Sequence, residues 1–254
     1  ERVVRKGVQA STSLYRFCPC CGLILEDKKF SPFGASKSSD RMCPRCGSVE
    51  RHRRVCTLFA GAASKYGLST DSFLEPPNGF NHPFRLLSFG PQRQMEAEIS
   101  SFPDVDHVGL DYFYPGYSYS NSTLHADVQD LKIPDGFADG IIILHVLEHV
   151  PDLPQAFSEL SRVLRNESGW ALVEVPCRSG ISTKDCRLNT SEERHTCAGQ
   201  HDHVWRFGCE DFALMLRQHF KSCDDISDSF AWLGAKVLDN LKFDKMPLHL
   251  CRNF

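Results

Sequence analysis

Short apolar runs that alternate with helical patterns constrain the fold of this chain more than any other feature of its sequence. The predicted strands are 84–89, 106–110, 123–127, 140–145 and 170–175, with a last strand within 247–252. The predicted helices are 92–100, 155–165 and 209–220. Such alternation implies parallel strands joined by crossover helices. The sequence therefore predicts an α/β fold with an open, doubly wound sheet, in which ligands bind at the carboxyl ends of the strands.

Charge and hydropathy exclude two classes of protein. The chain has 29 Lys and Arg residues against 32 Asp and Glu residues, a formal net charge of −3. This balance argues against a protein that binds nucleic acid through bulk charge, although it permits a local basic patch. No apolar run approaches the roughly 18–20 residues that span a bilayer, so we expect no membrane contact.

Two cysteine motifs near the N-terminus predict a metal site. Cys18-Pro-Cys-Cys21-Gly and Cys43-Pro-Arg-Cys46-Gly each place two thiols at a Cys-x-x-Cys spacing. Zinc takes four such ligands at tetrahedral corners, and the Gly that follows each pair permits a positive φ. We expect a structural Zn²⁺ in a zinc ribbon held by Cys18, Cys21, Cys43 and Cys46. Cys20 could replace Cys21, and a cluster of free thiols or a disulfide is the alternative.

Cysteine use also bears on the compartment. The chain has 12 cysteines, and five of them fall in the two N-terminal motifs. Clustering of this kind indicates metal binding in a reducing compartment, so we expect a cytoplasmic protein. The sequence begins at Glu1, which leaves open a targeting segment upstream.

A basic run follows the second motif and has two interpretations. Arg51, His52, Arg53 and Arg54 could offset the negative charge of a four-thiolate site and solvate a helix face. Alternatively, Arg51, Arg53 and Arg54 could contact a nucleic acid or a protein partner.

Composition shifts divide the chain into four parts. Residues 1–17 are predicted to be a flexible lead-in, and residues 18–67 a zinc ribbon with a connecting helix. Residues 68–83 contain a Pro- and Gly-rich break and are predicted to be a linker. Residues 84–254 hold the alternating pattern and form the large domain.

Polar residues follow successive predicted strands, where a nucleotide could bind. Gly90 ends the first strand in a turn that exposes backbone N–H groups. Asp111 ends the second strand, where a carboxylate can accept hydrogen bonds from a ribose diol. Asp127 and Val128 follow the third strand, where they could bind an adenine amino group. Each acid alone is more often a loop or cap residue, and their recurrence is the informative part.

Three segments together give the sequence a family resemblance. They are His145-Val-Leu-Glu-His149-Val-Pro-Asp152, the run from Cys43 to Arg53, and Asp202-His-Val-Trp-Arg-Phe-Gly208. With these segments the chain resembles class I S-adenosylmethionine-dependent methyltransferases of the type 11-like group that carry an N-terminal zinc ribbon. The resemblance extends from Cys18 to about Arg252.

The resemblance implies a Rossmann-like seven-stranded sheet whose last strand is antiparallel. It also implies that S-adenosyl-L-methionine contacts Phe89, Gly90, Pro91, Asp111, Asp127, Val128 and His145. The chain departs from the family pattern at Ser88, where an acid is usual, and at Gln92, where a further Gly is usual. The acid normally anchors the amino-acid end of the cofactor, and Glu148 is a possible substitute.

A His- and Cys-rich segment between Cys177 and Cys209 follows the fifth strand. It could form a metal site, or it could line a substrate pocket. In a pocket, His203 would act as a base, Asp202 would orient it, and Arg206 would bind an anionic group of the acceptor. The alternative is that His203 only packs the loop before the next helix.

The function that the sequence predicts is methyl transfer from S-adenosylmethionine. The acceptor stays open among small molecules, sugars, proteins and RNA. The alternative is a catalytically inactive protein of the same fold that acts as a binding or adaptor protein through its zinc ribbon. Loss of the acid at Ser88 favours the adaptor, and the intact segment from His145 to Asp152 favours the enzyme.

Overall fold

The computed structural model describes residues 15–32, 41–62, 82–91, 93–100, 102, 104–114, 118–187, 190–227 and 246–253. Most of the predicted lead-in and linker lie outside these residues, and so does Gln92. Within the described chain, no helix combines the length and the apolar character needed to cross a membrane.

The N-terminal part consists of two small hairpins and one helix. Strands β1 (Tyr15–Cys18) and β2 (Leu23–Glu26) pair antiparallel, as do β3 (Ser31–Pro32) and β4 (Arg41–Met42). Helix α1 (Glu50–Ala62) follows. It starts directly after the second cysteine motif, so the motif and the helix are joined without a linker.

The remaining elements alternate between strands and helices. In chain order they are β5 (Phe84–Phe89), α2 (Arg93–Ile99), β6 (Val105–Asp111), β7 (Leu124–His125), β8 (Gly140–Leu144), a 3₁₀ turn (Leu147–His149), α3 (Leu153–Val163), β9 (Trp170–Glu174), β10 (Cys177–Arg178), β11 (Lys184–Asp185), α4 (Ser191–Ala198), β12 (Trp205–Gly208), α5 (Cys209–His219), β13 (Ser222–Asp225) and β14 (His249–Arg252).

Seven of these strands form one mixed sheet in the order β13-β14-β9-β8-β5-β6-β7. Strand β14 runs antiparallel to both of its neighbours, and the pairs from β9 to β7 are parallel. This confirms the predicted Rossmann-like sheet with its last strand antiparallel. From β5 the chain continues to β6 and β7 on one side of β5. The next strand, β8, pairs with β5 on its other side, so a topological switch point lies between β5 and β8.

The apolar core lies on both faces of this sheet. Ile141 and Ile143 of β8 pack with helices α3 and α5 on one face, and Ile142 points to the other. On that second face, Val55 and Phe59 of α1 pack with α2 and the sheet. A strand covered on both faces explains the uninterrupted apolar run of β8. Helix α1, which the sequence grouped with the ribbon, thus contributes to the core of the sheet.

A small second sheet, in the order β10-β12-β11, follows β9. Disulfides Cys177–Cys209 and Cys186–Cys197 join its strands to α5 and α4. These four cysteines are therefore not available as metal ligands, so the metal alternative for this segment cannot rest on them. The two pairs could not be predicted from the sequence, because cysteine spacing alone does not determine connectivity.

Several described elements differ from the sequence prediction, and the short elements β10, β11, α4 and β12 were not predicted. Helix α3 begins two residues early because the Asp152 side chain accepts a hydrogen bond from the Gln155 N–H and caps it. The third strand is limited to Leu124–His125, and β13 has no apolar pattern by which it could have been predicted.

The contact of Gly208 with residue 181 predicts a large loss of stability on substitution. A Cβ on Gly208 would clash with the carbonyl oxygen of Ile181, a backbone atom that cannot rotate away. We expect Gly208→Ala to lower the free energy of unfolding by about 3 kcal/mol, the upper part of the range for overpacking. Urea denaturation measures this loss. Leu214→Ala removes an exposed side chain of α5 and should change stability by less than about 0.5 kcal/mol; equal effects of the two variants would contradict the contact.

Candidate functional site

Four N-terminal cysteines converge on one point. Their sulfur atoms all lie within 4.8 Å of one another, and the four residues are Cys18, Cys21, Cys43 and Cys46. The Sγ–Sγ distance is 3.6 Å from Cys18 to Cys46 and 3.8 Å from Cys21 to Cys43. With zinc–sulfur bonds near 2.3 Å, a tetrahedral site has sulfurs about 3.8 Å apart. The donor set and its spacing therefore fit Zn²⁺, and Cys21 rather than Cys20 belongs to the group.

The glycine after each cysteine pair has the backbone that the sequence predicted. Gly22 and Gly47 have φ of 72° and 71°. Their N–H groups donate to the carbonyl oxygens of Cys18 and Cys43 at 2.8 and 2.9 Å. Each turn is thus closed by a backbone hydrogen bond that directs both thiols to the same side.

The basic run on α1 does not form a surface patch. Arg53 and Arg54 are 0% and 2% exposed. Arg53 donates to the carbonyl oxygen of Ser48, and Arg54 forms an ion pair with buried Glu174 at the end of β9. The interpretation of these two residues as contacts for a nucleic acid or a protein partner is therefore wrong, because their side chains lie between α1 and the rest of the protein. Arg51 is half-buried.

The switch point of the sheet lies where β5 and β8 end, and ligands of such sheets bind in a crevice at this point. Gly90 has φ of 61°, and a Cβ there would lie 3.0 Å from Val146 Cγ2 and 3.9 Å from Asp111 Oδ2. Phe89 is buried before this glycine, and Pro91 follows it at the start of the turn into α2. A side chain at position 90 would fill the space between the loops that follow β6 and β8. The structure thus brings Gly90, Asp111 and Val146 together as a cradle with an open backbone.

The two acids after β6 and β7 are held by local hydrogen bonds. Asp111 Oδ1 accepts from the N–H of Phe113 at 3.1 Å. Asp127 Oδ1 accepts from both the N–H and the side-chain amide of Gln129, at 2.9 and 3.0 Å. The N–H of Ala126 donates to the carbonyl oxygen of Asp111, which ties the two strand ends together. Val128 is buried beside them.

Ser88, where the family resemblance would place an acid, has a hydrogen-bond partner inside the sheet. Ser88 is fully buried, and its hydroxyl lies 2.7 Å from Nε2 of His107 on the neighbouring strand. This partner lies within the sheet, so the Ser88 hydroxyl is occupied there. An anchor for the amino-acid end of a cofactor must come from another residue.

His145 connects the end of β8 to that of β9. It has φ of 56°, an uncommon value for a residue other than glycine. Its Nε2 lies 3.1 Å from Glu174 Oε1, and its Nδ1 lies 3.5 Å from Glu148 Oε1. Burial lowers the pKa of His145 well below its ordinary value, so the ring is neutral near pH 7. Glu174 therefore contacts both His145 and Arg54.

Glu148 is a carboxyl group buried at the same edge. It is 1% exposed, and burial raises its pKa to about 7. Its carbonyl oxygen accepts a hydrogen bond of 2.8 Å from the N–H of Val204. This bond fixes the turn after β8 against the segment that leads into β12.

The residues predicted to face an acceptor lie in or next to the segment that leads into β12. His203 is buried, and burial together with the charge of His149 lowers its pKa to about 4. Asp202 lies against His149, whose Nδ1 is 3.1 Å from the Asp202 carbonyl oxygen and 3.6 Å from its carboxylate. Arg206 lies further along β12, opposite Lys184. Asp202 thus orients His149, a residue that was not among those predicted to face an acceptor.

Comparison with known protein families gives a match for the central part of the chain. Residues 105–172 match the profile of a family described as "Methyltransferase domain". This segment spans β6 to β9 and includes Asp111, Asp127, His145 and Glu148. No curated protein matches the chain.

Solved structures give distant matches. One is a chain of the complex between the Haloferax volcanii Trm112 methyltransferase activator and a methyltransferase, with 14% identity and a TM-score of 0.46 over 80% of this chain and 93% of that one. A second is an S-adenosylmethionine dependent methyltransferase from Mesorhizobium loti, with 12% identity and a TM-score of 0.41 over 67% and 91%.

A third match is Haemonchus contortus phosphoethanolamine N-methyltransferase 2 in complex with S-adenosyl-L-methionine, with 11% identity and a TM-score of 0.43. The alignment covers 78% of this chain and 56% of that one. Because all three TM-scores lie below 0.5, the fold assignment rests on the strand order of the sheet.

The buried pair between Arg54 and Glu174 predicts a strong effect on stability. We expect Arg54→Met to lower the free energy of unfolding by about 3–5 kcal/mol, because it leaves the Glu174 carboxylate buried without its cation. Combining it with Glu174→Gln should recover part of the loss. Thermal and urea unfolding measure both effects. Arg93→Met, at an exposed position on α2, is the control. An Arg54→Met protein as stable as that control would contradict the buried pair.

Proposed function

We propose that the protein is an S-adenosylmethionine-dependent methyltransferase. The observation that carries the proposal is the match of residues 105–172 to the methyltransferase-domain family, since these residues supply most of the edge where the crevice lies. The strand order places a switch point at this edge, which is where ligands bind in such folds.

The cofactor side of the site is proposed to lie along the ends of β5 to β8. The open backbone at Gly90, with Phe89 and Pro91 around it, would admit the methionine end of the cofactor. Asp111 would accept hydrogen bonds from the ribose hydroxyls, and Asp127 and Val128 would bind the adenine. His145 would close the crevice from the β8 side, with Glu148 behind it. When bound, the cofactor supplies an electrophilic methyl group.

The acceptor is proposed to bind next to the segment that leads into β12. Methyl transfer is an in-line displacement at carbon, so the protein contributes mainly by aligning the nucleophile with the methyl group. His203 could receive a proton from an acceptor that becomes strongly acidic as it is methylated, since a pKa of about 4 makes His203 a weak base. Arg206 could bind an anionic part of the acceptor. Asp202 would hold His149 in place. Small molecules, sugars, proteins and RNA are all candidate acceptors.

The alternative function is that of an inactive adaptor which acts through its zinc ribbon. The lost acid at Ser88 is its main support, and the family match does not favour it. Calorimetric titration with S-adenosylmethionine and S-adenosylhomocysteine distinguishes the two. Micromolar binding of both supports the enzyme, whereas no binding at millimolar ligand by the folded protein supports the adaptor.

We also propose that Cys18, Cys21, Cys43 and Cys46 bind a structural Zn²⁺. The support is the mutual spacing of their four sulfurs, which fits a tetrahedral site. The ion would fix the two cysteine turns at the start of α1. It would have no part in the chemistry of the crevice.

The proposed ribose contact predicts weaker cofactor binding in Asp111→Asn. Loss of a charged hydrogen-bond acceptor costs about 1–3 kcal/mol, which corresponds to a roughly 5- to 150-fold higher Kd for S-adenosylhomocysteine. Calorimetry measures this Kd. Asp106→Asn lies on the same strand at an exposed position and should bind like the unmodified protein. An unchanged Kd in Asp111→Asn would refute the ribose assignment.

The proposed zinc site predicts which cysteine matters in the first motif. We expect Cys21→Ser and Cys43→Ser to lose bound zinc, because three thiolates with a hydroxyl hold the ion poorly. Cys20→Ser should keep it, since the Cys20 sulfur is not among the four that converge. Metal analysis of the purified proteins gives the result. Zinc loss in Cys20→Ser with retention in Cys21→Ser would reverse the assignment.

A further inference from the structure

Three side chains outside the cysteine cluster form a second group with metal-binding chemistry. They are Glu148 and His149 of the turn after β8, and His203 before β12. One donor atom from each lies within 4.8 Å of the other two. The hydrogen bond from Val204 N–H to the carbonyl oxygen of Glu148 holds the two segments together, so the group is built into the fold.

The carboxyl group of Glu148 has an unused oxygen. Its Oε2 is buried and has no hydrogen-bond partner among the described residues. Its Oε1 lies 3.5 Å from His145 Nδ1 and 3.9 Å from His203 Nε2, distances beyond those of an ordinary hydrogen bond. A buried carboxylate without donors is costly, and a cation between these atoms would remove that cost.

The ring of His149 is oriented in the way that metal ligands require. Its Nδ1 lies 3.1 Å from the carbonyl oxygen of Asp202, to which only a protonated nitrogen can donate. With the proton of a metal-binding imidazole on Nδ1, Nε2 is the nitrogen that can bind an ion. A backbone carbonyl that holds the second nitrogen of a histidine is the usual outer shell of a metal site. The rings of His149 and His203 lie 4.9 Å apart and nearly perpendicular.

We propose that Glu148, His149 and His203 bind a divalent first-row transition ion, separate from the ion of the cysteine cluster. Two imidazoles and one carboxylate are a ligand set that Zn²⁺ and related ions accept, with positions left open for water or another oxygen ligand. Mg²⁺ and Ca²⁺ prefer sites made of oxygen atoms, so the two nitrogens favour a transition ion. The ion needs only these three side chains, but it shares Glu148 and His203 with the site proposed above, and the ligating nitrogen of His203 would not act as a base while it binds the ion.

The test uses the full chain with zinc already bound at the cysteine cluster. Titration with Co²⁺, followed by visible absorption and by calorimetry, should show one saturable site that lacks the intense absorption of cobalt–thiolate bonds. Glu148→Gln preserves the size of the side chain and should weaken Co²⁺ binding more than about 100-fold, beyond the 10- to 100-fold typical of outer-shell changes. His149→Ala should do the same.

The matched control is His201→Ala, an exposed histidine two positions from His203 that is not among the three ligands. It should bind Co²⁺ like the unmodified protein. Circular dichroism establishes that each variant is folded, and Glu148→Gln decides the matter if a histidine variant unfolds. The proposal fails if the unmodified protein shows no Co²⁺ site, if Glu148→Gln binds equally well, or if His201→Ala loses the site. Titration with S-adenosylhomocysteine in parallel reports on the methyltransferase proposal separately.

Discussion

The buried ion pair between Arg54 and Glu174 is the interaction on which the arrangement of the site depends. It joins α1, the helix that continues directly from the cysteine motif, to the end of β9 in the central sheet. The same carboxylate contacts His145 at the end of the neighbouring strand. Because a buried charge needs its partner, the position of α1 and the geometry of the strand ends are determined together. The N-terminal part is therefore a structural support of the crevice.

A second support comes from the segment after β9. Its small sheet and two disulfides hold the chain that carries Asp202 and His203 against the turn after β8. Trp205 reinforces this contact, since its indole N–H donates to the carbonyl oxygen of Val150 at 2.7 Å. The polar side chains at this edge thus come from two segments far apart in sequence. Neither segment could hold the imidazoles and the carboxyl group in place alone.

The predictable part of the molecule was the part that depends on local patterns. Strand β5 was predicted with its observed bounds because an apolar run between polar breaks specifies a buried strand. The sheet and its antiparallel last strand followed from the family resemblance. The polar strand β13 has no such pattern. The burial of Arg53 and Arg54 was also unpredictable, because arginine is usually exposed and only the fold supplies Glu174 as a partner.

The candidate site also has residues that could be predicted from the sequence and residues that could not. Gly90, Asp111 and Asp127 could be proposed from their positions after strands, and the structure brings Gly90 and Asp111 together. The group of Glu148, His149 and His203 could not, since it depends on a contact between residues more than 50 positions apart. The sequence marked Glu148 and His203 separately, but nothing in it indicated that the two segments meet.

The cysteines of the chain have an implication for how it matures. Cys177, Cys186, Cys197 and Cys209 are paired as disulfides, while Cys18, Cys21, Cys43 and Cys46 are free thiols close enough to form disulfides with one another when an oxidant is present. A thiol that has formed a disulfide can no longer bind a metal ion, and a bound ion occupies the sulfur that an oxidant would attack. An ion bound at the four converging thiols would therefore protect them under the oxidising conditions that pair the later cysteines.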